Sequence, residues 1–278
     1  MLRKKVKNPF KCIFKCIYHA MFDMIKHDGI EHAGYLSFII LLSIFPFLVF
    51  FMALISNVAQ LLNQYDISIN DKLIVLINDN IPNEVISGLM PRIQEIISGP
   101  PHSLLTLAVI GTIWTASSAV EGIRTILNKA YRVSNPPSYI FRRLLSIFQF
   151  LVITVTIIIA MVCIIFLPVI YGILDKDLGY LKYAISELVL FISITLLYFI
   201  VPNIKQNLIN VIPGAILVTL LWTCSSFVFT WYIKTFHQLN IIYGSLASII
   251  ASLLFFYILS IFFIYGAELN YRLKNTFI

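Results

Sequence analysis

Charge is the scarcest commodity in this chain. Of its 278 residues only 12% are Asp, Glu, Lys or Arg, about half the share found in a soluble globular domain. So little charge cannot cover a large water-facing surface, which excludes a big soluble core. Cysteine is sparse too. Cys12, Cys16, Cys163 and Cys224 form neither a disulfide framework nor two ligand pairs at zinc-site spacing. There is no glycine-rich phosphate loop, no serine-nucleophile motif and no dense histidine–aspartate set, so no catalytic machinery is visible. No signal peptide is expected from residues 1–25, because Lys11 and Lys15 interrupt what would be its apolar stretch.

What is abundant is hydrocarbon. Hydrophobic residues make up 59% of the chain, and they come in long runs. A bilayer core about 30 Å thick needs roughly 20 apolar residues in a helix rising about 1.5 Å per residue. Six stretches satisfy this, at about 34–59, 103–120, 144–170, 183–201, 208–232 and 245–267. Residues 10–25 read differently: Phe10, Phe14, Ile17, Met21 and Met24 fall on one helical stripe with Lys11 and Lys15 off it, as in an interfacial helix. Residues 60–101, richer in acid than base, read as outer amphipathic helices restarted at Pro82 and ended by Gly99-Pro100-Pro101. A further short amphipathic helix is expected around Ile123, Ile126, Leu127 and Ala130. The fold class is therefore all-α: a single membrane domain over 1–278, built as a polytopic bundle of about six transmembrane helices with amphipathic surface helices.

The net charge of +7 is explained by orientation rather than by nucleic acid. With six spans, fifteen of the twenty lysines and arginines fall on one side and five on the other. The positive-inside rule then puts both termini in the cytoplasm.

A few positions inside the spans carry something other than oil. Trp114, Thr115, Ser117 and Ser118 in the second span resemble Trp222, Thr223, Ser225 and Ser226 in the fifth, each a tryptophan followed by hydroxylated residues. Such hydroxyls serve either as helix–helix glue or as the lining of a polar cavity. Glu187 lies about one turn inside the outer end of the fourth span, where it can pair with Lys182 or face that cavity. Trp114, Ser117, Ser118, Glu187, Trp222, Ser225 and Ser226 are the candidate polar pathway. Gly111 and Thr115 in the second span, and Gly244, Ser248 and Ser252 in the sixth, have the small-residue spacing that lets helices approach closely. Glu121 and Glu268 sit at inner span ends, within reach of headgroups, Arg124 and Arg272. His27, Glu31 and His32 lack the spacing of a helical zinc motif and read as a solvated cluster; no metal site and no cofactor is expected.

Several segments in order resemble the YihY/BrkB family of bacterial inner-membrane proteins. They are AGYLSFIILLSIFPFLVF at 33–50, WTASSAVEGIRTILNKAYRV at 114–133, FRRLL at 141–145, VPN at 201–203, NVIPGAILVTLLW at 210–222, NIIYGSLASII at 240–250 and YGAELNYRL at 265–273. The resemblance covers roughly residues 20–275. It implies a six-span bundle in the inner membrane, with links to envelope integrity, serum resistance and the transport of lipids or other amphiphiles. The family also bears an old ribonuclease BN label, which the residues here do not support. The expected function is non-enzymatic handling or transport of a lipid or amphiphile. The alternative is a non-transporting envelope scaffold or assembly factor, and a tRNA-processing ribonuclease ranks last. Membrane lipids, an amphiphilic substrate and a second copy of the chain are the expected partners, with no nucleic acid.

Overall fold

A computed structural model describes residues 9–63, 102–134, 137–174, 179–235 and 245–277. The described residues hold seven helices and no strand: α1 (Pro9–Lys26), α2 (Gly29–Asn63), α3 (His102–Ala130), α4 (Tyr139–Leu174), α5 (Gly179–Ile200), α6 (Leu208–Thr235) and α7 (Ser245–Phe277). Four of them are long and apolar enough to cross a membrane, over Tyr139–Thr156, Tyr183–Ile200, Leu208–Ile233 and Ile249–Thr276, and α2 adds a shorter apolar run at Gly29–Ile44. The all-α membrane fold expected from the sequence is the fold observed. The outer amphipathic helices expected beyond α2, up to residue 101, lie outside the described residues.

Local chemistry sets the boundaries. Asp28 adopts a positive φ of 56° and turns the chain between α1 and α2, a conformation Asp tolerates better than most residues. The stretch Ile123–Ala130, expected as a separate short helix, is instead the last part of an unbroken α3. No breaker follows the apolar run, and Ile126, Leu127 and Ala130 are buried, so the helix continues. It ends in a Schellman-type cap, with Val133 N–H donating to the Asn128 carbonyl at 2.8 Å. The left-handed position of that cap is normally glycine; here it is Arg132, at φ 57°. Pro202 closes α5, since it cannot supply the next helical N–H.

The chain forms two compact units: Met1–Leu42, Ser118–Gln149 and Ala184–Ile278 in the first, Ser43–Ser117 and Phe150–Tyr183 in the second. In the second, Phe150 packs its ring against Phe47 and Phe50. In the first, α7 is the central post, packed against both α6 and α1. One side of α1 is buried through Cys16, Ala20 and Met24, and Cys16 and Ala20 meet Leu269 of α7. The other side leaves Phe14, Tyr18, Phe22 and Ile25 exposed.

Candidate functional site

The first unit gathers its polar residues where the helices end. Arg124, fully buried on α3, is the hub of one cluster. Its guanidinium donates to Glu121 Oε2 at 2.9 Å, Ser146 Oγ at 2.7 Å, the Arg142 carbonyl at 2.5 Å and the Val201 carbonyl at 3.2 Å, and also to the Gln149 side chain. Gln149 in turn donates to the Ile200 carbonyl at 2.7 Å. Gln149 and Arg124 thus satisfy the carbonyls of Ile200, the last residue of α5, and of Val201 just past it, groups that a helix end leaves without a partner of its own. Asn128 and Asn203 complete the joint: the Asn128 amide donates to Asn203 Oδ1 at 2.9 Å and accepts from the Asn203 backbone at 2.8 Å. Burial pulls the Arg124 pKa below its ordinary value, and the Glu121 carboxylate opposes that pull.

A second cluster forms on α7. In the segment Tyr265–Leu273, residues 266 and 270 share one helical face and 268 and 272 share another. Glu268, 2% exposed, receives both arms of the Arg132 guanidinium at 2.9 and 2.8 Å. Arg132 also donates to the Lys129 and Ala130 carbonyls at 2.8 and 2.7 Å, and its guanidinium lies 2.8 Å from His27 Nδ1. It lies over the Tyr271 ring as well, 4.9 Å from its centre. One arginine therefore caps α3, neutralises Glu268 and touches α1, which accounts for a non-glycine at the left-handed cap. Glu268 was expected to find Arg272; it pairs with Arg132 instead, and Arg272 binds Asp23 of α1 at 2.6 Å. The other face carries Gly266 and Asn270. Asn270 accepts from the Gly214 N–H at 2.7 Å and donates to the Val211 carbonyl at 3.1 Å. These are backbone groups at the point where Pro213 interrupts the hydrogen-bond ladder of α6.

The two glycines let α6 and α7 meet there. A Cβ on Gly214 would collide with the Gly266 carbonyl oxygen, and one on Gly266 would strike Val218 and come within 2.6 Å of the Tyr198 hydroxyl. Tyr198 itself donates to the Phe263 carbonyl at 2.5 Å. Further along the same seam, Trp222 Nε1 donates to the Leu259 carbonyl at 2.9 Å. Beyond that bond the seam opens into an apolar groove of about 410 Å³, lined by Leu221, Cys224, Val228 and Tyr232 of α6 and by Leu254 and Ile258 of α7.

The residues singled out from the sequence are distributed as follows. Ser225 also lines the groove, while its hydroxyl donates back to the Leu221 carbonyl at 2.7 Å. Ser226 does the same to Trp222 at 2.9 Å and is exposed. Glu187 meets α6, accepting from Thr223 Oγ1 at 3.0 Å; the Lys182 side chain lies outside the described set. Ser118 accepts from Arg143 at 3.2 Å in the first unit. Trp114 and Ser117 belong to the second unit, where the Ser117 hydroxyl donates to the Trp114 carbonyl at 3.0 Å. Gly111 is open to its surroundings and Thr115 bonds back to it at 2.8 Å. Ser252 is half-buried on α7, and Gly244 and the Ser248 side chain are not described. Sequence reasoning noted Glu268 and Arg124 but missed Arg132, Asn270, Gly214 and Gly266 as a constellation. The signal was present in the four-residue spacing of Gly266 and Asn270, and in a proline–glycine pair within an apolar run.

Polar side chains gathered inside, large apolar ones such as Leu220, Phe227 and Val228 exposed, and helices of this length define a helical membrane protein. The chain belongs to the BrkB family, whose model, described as Virulence factor BrkB, matches residues 21–277. It is 30% identical over 254 residues to the ribonuclease-like protein YfkH of Bacillus subtilis (strain 168), covering 88% of this chain and 90% of that one. It is 28% identical over 237 residues to a UPF0761 membrane protein of Actinobacillus pleuropneumoniae, covering 81% of this chain and 82% of the relative. A UPF0761 membrane protein of Haemophilus influenzae (strain PittEE) is 37% identical over 75 residues, 27% of this chain and 28% of the relative. No solved structure matches.

Proposed function

We propose that this is a multi-pass protein of the bacterial inner membrane, both termini cytoplasmic, that handles or transports a lipid or other amphiphile without catalysing a reaction on it. The observation that carries the reading is the interrupted helix α6. Pro213 cannot donate to the carbonyl one turn back in this apolar helix, and beside it Asn270 of α7 bonds the Gly214 N–H and the Val211 carbonyl. In membranes such interruptions are tolerated where protein or a cavity surrounds them, and transport proteins build their sites on discontinuous helices. Here the interruption adjoins the buried Arg132–Glu268 pair on one side and the apolar seam on the other, a combination of polar and oily surface suited to an amphiphile. Arg124, Arg132 and Arg143 donate to protein acceptors, which counts against the ribonuclease reading. The test is reconstitution into vesicles, followed by flip or efflux of labelled phospholipids. Acceleration above empty vesicles is expected, and none across candidate lipids would sink the reading.

The exposed aromatic side of α1 favours a second reading, a scaffold that recruits envelope proteins. Crosslinking in cells separates the two. A stable protein partner on Phe14, Tyr18 and Phe22 supports the scaffold, and co-purified lipid supports transport.

A further inference from the structure

We propose that the open part of the α6–α7 seam is a seat for a single hydrocarbon chain of a membrane amphiphile. The proposal deepens the lipid-handling reading and takes its biological purpose from it, while its geometry stands independently. The same seam continues from the glycine crossing: Gly214, Val218, Leu221, Ser225, Val228 and Tyr232 follow at alternating four- and three-residue steps, the pattern of two helices wound together. Small residues close the seam at one end. At the other, Val228 and Tyr232 face Leu254, Phe255 and Ile258, and a groove of about 410 Å³ remains between the helices. Phe229 stacks on Phe255 with ring centres 4.3 Å apart, a contact that bridges the two helices beside the groove.

The length and rim of the groove point to the occupant. From Leu221 to Tyr232 the groove runs roughly 16 Å along α6 at 1.5 Å per residue, about the hydrocarbon depth of one leaflet. Its rim includes the exposed Val228 and Trp231, so the groove opens onto apolar surface of the kind that meets the bilayer, and an extended alkyl chain of a neighbouring lipid is the molecule at hand to fill it. The lining carries no charged side chain, so the groove selects for hydrocarbon and leaves headgroup choice to residues beyond it. Trp231 and Tyr232 stand at its end, where amphipathic rings mark the headgroup level of a bilayer. A chain seated here points its methyl end toward the Trp222–Leu259 bond.

The test uses the full chain in phosphatidylethanolamine–phosphatidylglycerol vesicles containing a phospholipid with a mid-chain diazirine. After irradiation, adducts are mapped by peptide mass spectrometry. Adducts on Cys224, Val228 and Ile258 are expected to exceed those on the lipid-facing Leu220 and Phe227 about fivefold, a preference of roughly 1 kcal/mol. Val228→Trp should remove the excess while leaving the thermal midpoint unchanged. Adducts spread evenly over both faces, or an excess that survives Val228→Trp, would overturn the proposal, as would protein–protein crosslinks in place of lipid adducts. Flip is measured on the same vesicles. A groove excess without flip supports the seat and counts against transport, whereas flip without the excess overturns the seat and leaves transport standing.

Discussion

The two ends of the α6–α7 seam are built from opposite materials. At the Gly214 end, glycine meets glycine, a proline-interrupted backbone is completed by Asn270, and Glu268 is locked to Arg132. At the Tyr232 end the same two helices present aliphatic and aromatic side chains across open space. The difference follows from the solvent. Lipid gives apolar side chains no reason to seek each other, so helices stay together where backbone contact and buried polar bonds hold them. Where those run out, ring contacts such as Phe229 on Phe255 are what join the helices, and a groove remains beside them. One end is thus an anchor and the other a surface left for lipid.

The contrast can be broken most severely at the anchor. Glu268→Ala takes both carboxylate bonds from Arg132, which is 25% exposed and keeps the Lys129 and Ala130 carbonyls. The cost therefore lies toward the low end of about 3–5 kcal/mol, the range for breaking a buried pair. The expected outcome is a large drop in thermal midpoint in detergent, which an unchanged midpoint would refute. Asn270→Ala takes the side-chain acceptor from the buried Gly214 N–H and the amide donor from the Val211 carbonyl, at about 1–3 kcal/mol. Its unfolding midpoint should fall less than that of Glu268→Ala, and Asn270→Asp, which keeps the acceptor for Gly214, should recover part of the loss. Trp222→Phe deletes one bond at the boundary between anchor and groove, and about 1 kcal/mol is expected. This variant sharpens the comparison, because a much larger loss would mean that the anchor extends past Trp222.

The smallest effect is a pH dependence beside the anchor. His32 accepts from the Lys129 ammonium at 3.0 Å. Burial first, and then that ammonium, lower its pKa below the ordinary 6.5, against the opposing pull of Asp28 and Glu31. The folded state therefore favours neutral His32. Its contribution is fully present above the unfolded value of 6.5 and is lost as pH falls through the lower folded value. His32→Gln should flatten the acid side of the midpoint-against-pH curve, and a curve that keeps its slope would show the contact to be idle.

Much of this fold was legible because bilayer thickness imposes itself on sequence. The apolar runs at 144–170, 183–201, 208–232 and 245–267 correspond to α4 through α7, with α7 continuing through the polar stretch to Phe277. The ending of α3 was misread because burial, not hydropathy, decides where it stops. Its last turns are polar enough to look like a connection, yet Ile126, Leu127 and Ala130 pack inside. The site was harder still. Arg124 and Glu121 are three residues apart and pair as their spacing suggests. Arg132 and Glu268 are separated by 136 residues, and no local pattern links them. Arg132 meets Glu268 only because it adopts a left-handed cap that its residue type does not advertise. The groove was invisible for a different reason, since Val228 or Ile258 reads the same whether it faces lipid, a neighbour or a gap.

The most direct test of the anchor-and-groove account places the same bulk at both ends and compares thermal midpoints in one detergent. Gly266→Leu drives a side chain into Val218 and the Tyr198 hydroxyl, an overpacking cost of about 3 kcal/mol. Cys224→Leu adds its methyl groups to open space in the groove. The account predicts a steep fall in midpoint for the first variant and an unchanged or slightly raised one for the second. Equal falls for the two variants would contradict it.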